Sequence, residues 1–337
     1  MKSLDAALLR ALRGAAIHTP PTELAAQIGT TRAGVTALVG ELREAGFEID
    51  ERPGLGYRLT GTPDRLIAAD LSSRLGNCTL VREILVLEET DSTNDQAASL
   101  GKNCAASGLA IFAEKQNAGR GRFGRRWESA SHLGLWFSLL LRPTFPQEHW
   151  PRLTTWAAVS IASAIERATG VRTGIKWPND IFVDGRKVAG ILIETAQDRA
   201  QENFAVVGIG LNANHAREDF PENLAAIATS LRVATGRAID RAAMAAAILR
   251  ELDARYADLD RRFEQLVAEA HCRSVLLGQW VQVRAADSVI EGVAESLDAN
   301  GQLLLRTSDG NLATLSAGEI SISAQAPAAG RTSNIEL

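Results

Sequence analysis

The hydrophobic period of this chain changes twice, and the changes divide it into three units. Over the first 60 residues apolar side chains recur at helical spacing: Leu4, Leu8, Leu9 and Leu12, then Leu24, Ala25 and Ile28, then Val35, Leu38, Val39 and Leu42. Thr22 opens the second helix and Gly29 ends it; Thr31 caps the third and Gly46 stops it. Residues 47–60 read as strand, Pro53-Gly54 turn, strand. Three helices and a two-stranded wing give the outline of a winged helix-turn-helix.

A connector follows, with an amphipathic stretch over 65–75. The pattern then becomes α+β: strand-like runs at 84–87, 109–114, 135–141, 190–195 and 204–208 surround helical stretches at 92–100, 153–169 and 241–266. Runs of strands favour one mixed sheet with helices mainly on one face over a regular βαβ alternation. The last 60 residues hold short strands at 280–285, 289–297, 302–306 and 312–316, parted by Asn300-Gly301 and Asp309-Gly310. Such spacing predicts a small β-barrel, and the Ala/Pro/Gly/Ser-rich end reads as disordered. The expected domains are 1–62, connector 63–84, 85–274, 275–323 and tail 324–337.

A formal charge of −4 gives no global field toward nucleic acid or membrane, so any such contact is local. Cys78, Cys104 and Cys272 are too far apart for a disulfide framework or a CxxC zinc site, and read as three reduced core residues. Asp5, Arg10 and Arg13 interrupt the stretch a secretory signal needs, and the longest apolar run, 133–141, is far short of the roughly 20 residues of a membrane helix. The expectation is a soluble cytoplasmic protein with no membrane partner.

Two segments carry chemistry. In Gln116-Asn117-Ala118-Gly119-Arg120-Gly121-Arg122-Phe123-Gly124-Arg125-Arg126-Trp127, glycines alternate with arginines directly after a strand. Glycine lets backbone approach a ligand, and guanidinium forks suit carboxylate and phosphate. A merely solvated basic loop needs no backbone access. No Lys-Ser/Thr follows, which excludes a GxxxxGK[ST] phosphate loop, and no long helix opens behind Gly119, Gly121 and Gly124, which argues against a dinucleotide fingerprint. The pattern predicts a loop that closes over an anionic small molecule. The second segment, Lys176-Trp177-Pro178-Asn179-Asp180 with Gly185-Arg186-Lys187-Val188-Ala189-Gly190, places two lysines eleven positions apart on either side of a hairpin turn. Both lysines can point into one cleft, although a plain surface hairpin is the competing reading.

The GRGRxGR loop, the KWPND turn with RKxAG after it, and Ser92-Thr93-Asn94 ahead of both resemble biotin protein ligases. With the winged helix and small barrel, the resemblance extends over residues 4 to about 323, to the bifunctional biotin ligases that also repress biotin-synthesis genes. It implies a ligase that uses ATP and Mg2+, the ion carried by the nucleotide rather than by a protein site, to form biotinyl-5′-AMP. Biotin then passes to a lysine of the biotin carboxyl carrier protein of acetyl-CoA carboxylase. It implies catalytic roles for Arg120, Arg122, Lys187, Lys176 and Asp180. Biotin contacts fall on Ser92, Thr93, Asn94, Gln116, Gly119, Arg120, Gly121, Arg122 and Lys187, and nucleotide contacts on Trp127, Arg122, Lys176, Asn179, Lys187 and Asn212. A core tryptophan competes with the adenine-stacking reading of Trp127, and Ser92 also suits a helix cap.

Operator DNA and a ligand-induced homodimer, with the adenylate as corepressor, are further implied partners. Here the sequence departs from the pattern. Residues 1–60 hold seven Lys/Arg and seven Asp/Glu, and Gly34, Ala37 and Gly40 occupy outward positions of the third helix. Thr31, Arg32, Thr36 and Arg43 remain as DNA contacts. The alternatives are a ligase whose helical domain no longer reads DNA, lipoate or octanoate transfer, and a non-catalytic metabolite-sensing regulator.

Overall fold

The computed structural model describes residues 4–285 and 288–322. Three helices, α1 (Leu4–Gly14), α2 (Pro21–Ile28) and α3 (Arg32–Glu44), pack with the hairpin β1 (Glu48–Arg52) and β2 (Gly56–Gly61). Their core is the stripe the spacing predicts: Leu8, Leu9, Leu12, Leu24, Val35, Val39 and Leu42, closed by Phe47 and Tyr57. The second helix starts one residue earlier than expected, at Pro21, whose missing N–H costs nothing in the first turn. Thr31 caps α3, accepting from Gly34 N at 3.1 Å.

Helix α4 (Ala68–Arg74) joins this unit to the rest. Its buried Asp70 pairs with Arg13 of α1 and with Arg74, and Arg74 reaches Asp240 at 3.0 Å. The central sheet runs β3 (Glu83–Thr90), β4 (Leu109–Gln116), β5 (Gly134–Leu141), then β9 (Asn203–Asn212), β8 (Arg186–Gln197), β7 (Asp180–Val183) and β6 (Gly174–Lys176) in spatial order. β3 and β4 are parallel and every other pair is antiparallel, which makes the sheet mixed. α5 (Thr93–Lys102) lies on one face; α6 (Arg152–Thr169) and a later helix, α9 (Arg241–Tyr256), cover the other. Between β9 and α9 come the short α7 (Glu222–Ala225) and α8 (Leu231–Thr235).

The stretch read as one helix over 241–266 is broken. After α9 come the single turn α10 (Asp258–Arg261) and, past Arg262 at φ −146°, α11 (Phe263–Arg273). Leu252, Leu259, Phe263 and Leu266 keep the apolar pattern running through the break, so periodicity could not reveal it.

The C-terminal strands β10 (Trp280–Ala285), β11 (Ser288–Leu297), β12 (Leu303–Arg306), β13 (Leu312–Leu315) and β14 (Glu319–Ile322) form an antiparallel sheet. Its order is β13-β12-β11-β10-β14, so among the described residues it has two edges and is not a closed barrel. β14 was not expected: it is only 4 residues long and starts directly behind the turn residues Ala317-Gly318. The expected tail, 324–337, and the last residue of the 275–323 unit lie outside the described residues. The cysteines are free, but Cys104 and Cys272 are exposed and Cys78 is half-buried, which corrects the expectation of three core residues.

Candidate active site

Alternation along the strands decides what the site is made of. On β9, Ala205, Val207, Ile209 and Leu211 face α6 and α9, while Phe204 and Val206 pack beneath α5. Further along that second face come Gly208 and Gly210, and on β5 Leu140 gives way to Ser138. One end of the face is therefore apolar, and the other is nearly bare of side chains. A cavity of about 810 Å3 stands there.

The bareness has a use. Cβ atoms on Gly210 and Gly190 would lie 2.6 and 2.9 Å from the Trp127 ring, and one on Gly208 would collide with Asn94. Lys176, Asp180, Gly190, Gly210 and Trp136 are successive cross-strand partners across five strands, so these positions share this face. Lys187 joins them through a bulge: register shifts between Ile181 and Phe182, so that Phe182 rather than Val183 stands opposite Lys187. The displaced backbone pairs outward, Lys187 N with Ile227 O and Thr229 N with Lys187 O.

Polar side chains gather beside the glycines at the N-terminus of α5. Ser92 caps the helix, its hydroxyl accepting from Asp95 N, as the sequence allowed. Thr93 donates from its backbone N–H (2.9 Å) and hydroxyl (3.1 Å) to Gln116 Oε1, and Gln116 Nε2 donates to Ser129 Oγ at 2.8 Å. Ser138 Oγ stands 2.7 Å from Thr93 Oγ1 and 2.6 Å from Asn94 Oδ1. These four groups hydrogen-bond to one another in a largely buried corner.

Cations occupy the other half. The Gly-Arg segment is a tight excursion: Gly121 N donates to Arg125 O at 2.7 Å, Trp127 N to Gly119 O at 2.9 Å, and residues Arg122–Gly124 make a 3-10 turn with Phe123 at φ 57°. Arg120 pairs with Asp95 (2.7 Å) and Glu194 (2.8 Å). Arg122 donates to Asn179 Oδ1 at 3.0 Å, and burial holds its pKa below the usual guanidinium range. Burial also lowers the Lys176 pKa, against the opposing pull of Asp180. Lys187 Nζ stands 2.6 Å from Asp180 Oδ1 and 5.1 Å from the Trp127 ring centroid. Partly desolvated cations around one carboxylate suit an incoming polyanion.

Of the residues expected here, Ser92, Thr93, Asn94, Gln116, Arg120, Gly121, Arg122, Trp127, Lys176, Asn179, Asp180, Lys187 and Asn212 all line the cavity. Gly119 does not; it braces the loop from behind, where a Cβ would lie 2.5 Å from Trp127 O. Trp127 is half-buried and its Nε1 lacks a partner, so it is a wall of the cavity rather than a core residue. Asn212 donates to Thr229 O at 3.0 Å. Trp177 belongs to the C-terminal core, donating to Gly301 O at 2.9 Å, so the KWPND turn is bolted to that unit.

Sequence reasoning missed several neighbours. Glu194 ties Asn94 to Arg120. Gly318 and Glu319 bring the C-terminal sheet to Arg122 and Arg125. His215, Phe220, Leu224 and residues 226–228 form the far wall, with the His215 ring stacked 5.1 Å from Phe220 and burial pushing its pKa down to about 4. Ser138 alone left a signal, as the polar residue inside an apolar strand. Far from this cavity, Arg32, Thr36 and Arg43 are exposed on α3, and Arg43 also donates to Ile49 O at 2.8 Å.

Among the described residues no three His, Cys, Asp or Glu side chains converge to hold a metal, and no helix is long and apolar enough to cross a membrane. The family described as "Biotin/lipoate A/B protein ligase family" matches residues 86–212, and "Biotin protein ligase C terminal domain" matches 276–323. The bifunctional ligase/repressor BirA of Bacillus subtilis is 36% identical over 284 residues, covering 84% of this chain and 87% of that one. The biotin–[acetyl-CoA-carboxylase] ligase of Mycobacterium tuberculosis is 34% identical over 245 residues, 71% of this chain and 88% of the relative. Among solved structures, the biotin protein ligase from Aquifex aeolicus in complex with biotin and ATP superposes with a TM-score of 0.63 at 30% identity, covering 72% of this chain and 99% of that one.

Proposed function

The chain belongs to the biotin protein ligases of the biotin/lipoate A/B protein ligase family, and we propose that it joins biotin to a carrier-protein lysine in two ATP-dependent steps. One observation carries the reading. A hydrogen-bonding corner fit for a small polar ring and a cluster of partly desolvated cations share one cavity over a glycine floor.

In the first step a biotin carboxylate oxygen attacks the α-phosphorus of ATP; the P–O bond to pyrophosphate breaks and biotinyl-5′-AMP forms. Two anions must meet, so the chain's task is to place positive charge where negative charge accumulates. Arg120, Arg122 and Lys187 take that role, with Lys176 toward the phosphates and Asp180 fixing Lys187. Thr93, Asn94 and Gln116 hold the ureido ring, with Ser92 shaping the turn. The adenine lies against Trp127, near Asn179 and Asn212. In the second step the carrier lysine, as free amine, attacks the acyl carbon; AMP leaves and the amine proton is lost. Until then the loop from Gly119 to Trp127 keeps water from the anhydride. Magnesium, when bound, would be carried by the triphosphate and would offset its charge.

The finer architecture belongs to the same reading. Residues 1–62 act as a winged helix-turn-helix, 63–84 as its connector, 85–274 as the catalytic unit, and 275–323 as an SH3-like module that lends Glu319 to the site. A repressor role draws support from the relative named ligase/repressor. Thr31, Arg32, Thr36 and Arg43 are its DNA contacts, the adenylate its corepressor and a homodimer its DNA-binding form. A carrier-protein substrate and a promoter site both support a cytoplasmic location. Transfer of labelled biotin to a carboxyl carrier domain tests the ligase; a gel shift on the biotin-gene promoter, with and without biotin and ATP, tests the repressor. A carrier left unlabelled at stoichiometric enzyme defeats the first, and a shift indifferent to ligand defeats the second.

A further inference from the structure

Asn94 can face its neighbours in two ways, and its surroundings choose one. One end of its amide lies 2.7 Å from Glu194 Oε2 and 3.4 Å from Leu192 O, both acceptors, so that end is the NH2. The oxygen end is thereby turned to Ser138 Oγ, 2.6 Å away.

That orientation leaves the polar corner one proton short. Three oxygen–oxygen contacts run in a chain: Gln116 Oε1 to Thr93 Oγ1 (3.1 Å), Thr93 Oγ1 to Ser138 Oγ (2.7 Å), and Ser138 Oγ to Asn94 Oδ1 (2.6 Å). Only two hydroxyl protons are available to serve them, because Gln116 Nε2 is committed to Ser129. Turning the Asn94 amide over would bring an N–H to Ser138, and three protons would then fill three contacts. The carboxylate of Glu194 prevents that turn, since it would set two acceptor oxygens against each other. Ser138 and Asn94 are 0% and 4% exposed, so water does not make up the deficit freely.

We infer that Glu194 is a positioning residue for specificity: by locking the Asn94 amide it leaves an unfilled acceptor in the corner, which selects a ring that brings its own N–H. The inference rests on the proposed biotin chemistry and adds to it the group that sets the polarity of the ureido pocket. Glu194 itself stays outside the cavity lining and acts through Asn94. Its second bond, to Arg120, is shared with Asp95, so the loop arginine keeps one carboxylate when Glu194 is changed.

Glu194→Gln keeps shape and hydrogen-bonding capacity but lets the Asn94 amide turn. With most molecules in the turned, self-satisfied state, biotin affinity measured by calorimetry should fall about tenfold, as the competent fraction falls. The discriminating probe is a biotin analogue in which one ring N–H is replaced by oxygen. The parent should prefer biotin over this carbamate strongly, and Glu194→Gln should lose most of that preference, while Asp95→Asn, which relieves Arg120 without touching Asn94, should keep it. Glu194→Gln binding biotin as tightly as the parent, or losing both ligands equally, overturns the inference and leaves the ligase reading standing. A parent that binds no biotin overturns both.

Discussion

Lys187 Nζ and Asp180 Oδ1 stand 2.6 Å apart across the β7–β8 hairpin, and the pair exists only because a bulge turns Lys187 to the face that Asp180 already occupies. Phosphate oxygens entering the cavity compete with Asp180 for this ammonium. The carboxylate thus holds the cation in place without neutralising the site, since Lys176, Arg122 and Arg125 remain nearby.

Replacing Lys187 with Met removes charge that develops its value during adenylation. Pyrophosphate release on mixing with biotin and ATP should slow by roughly 10²–10³. Asp180→Asn, which leaves the ammonium present but less well placed, should cost less. Equal rates for Lys187→Met and the parent would remove this lysine from the chemistry.

Two glycines of one sheet face should respond differently to alanine. At Gly210 the added Cβ meets Trp127, which stands on a half-exposed loop and can yield; retention of the adenylate should fail while the fold survives. At Gly134 it meets the fully buried ring of Trp136, which cannot yield, so the melting temperature should drop sharply. Thermal melts paired with adenylate-retention assays separate the two.

His215 makes stability depend on pH. Its folded pKa, about 4, lies below the ordinary 6.5 because burial penalises the imidazolium. Between these values the unfolded chain binds more protons than the folded one. The contribution is therefore complete above pH 6.5 and is lost as pH falls toward 4, by at most about 3 kcal/mol. Urea unfolding of His215→Phe should show a shallower loss over this window than the parent; parallel curves would contradict the assignment.

Arg241 and Glu114 are 2% and 1% exposed, joined at 2.5 Å, and together hold the connector: Glu114 also accepts from Leu66 N at 2.6 Å, and Arg241 reaches Asp64 at 3.2 Å. Arg241→Ala leaves the buried Glu114 carboxylate without its guanidinium, with only Leu66 N and His132 Nδ1 (3.2 Å) beside it, and should destabilise by about 3–5 kcal/mol. Adding Glu114→Gln should restore a large part. If the double variant is no better than the single one, the loss comes from packing and not from the stranded charge.

What the sequence disclosed and hid follows physical lines. The Gly-Arg loop and the KWPND turn stand out because a solvated loop has no use for glycines among arginines, nor a plain surface turn for Trp-Pro. The first core was legible because its three helices bury a single stripe each. Glu194 and Ser138 were invisible as partners of Asn94, since strands β8 and β5 meet α5 only in three dimensions. The bulge that aims Lys187 leaves no mark in the residue types. The glycine floor was half visible: Gly208-Ile209-Gly210 was noted for Asn212, but its pairing with Gly190 depends on register.

The central claim is that one cavity both activates biotin and shelters the product, and a single-turnover experiment meets it directly. Enzyme in excess over radiolabelled biotin is mixed with ATP, quenched at intervals and separated. The account predicts one pyrophosphate released per biotin, with the label held as biotinyl-5′-AMP until a carrier domain is added, when it moves to the carrier lysine. Pyrophosphate release independent of biotin, or label returning to free biotin as fast as the anhydride forms, would contradict it.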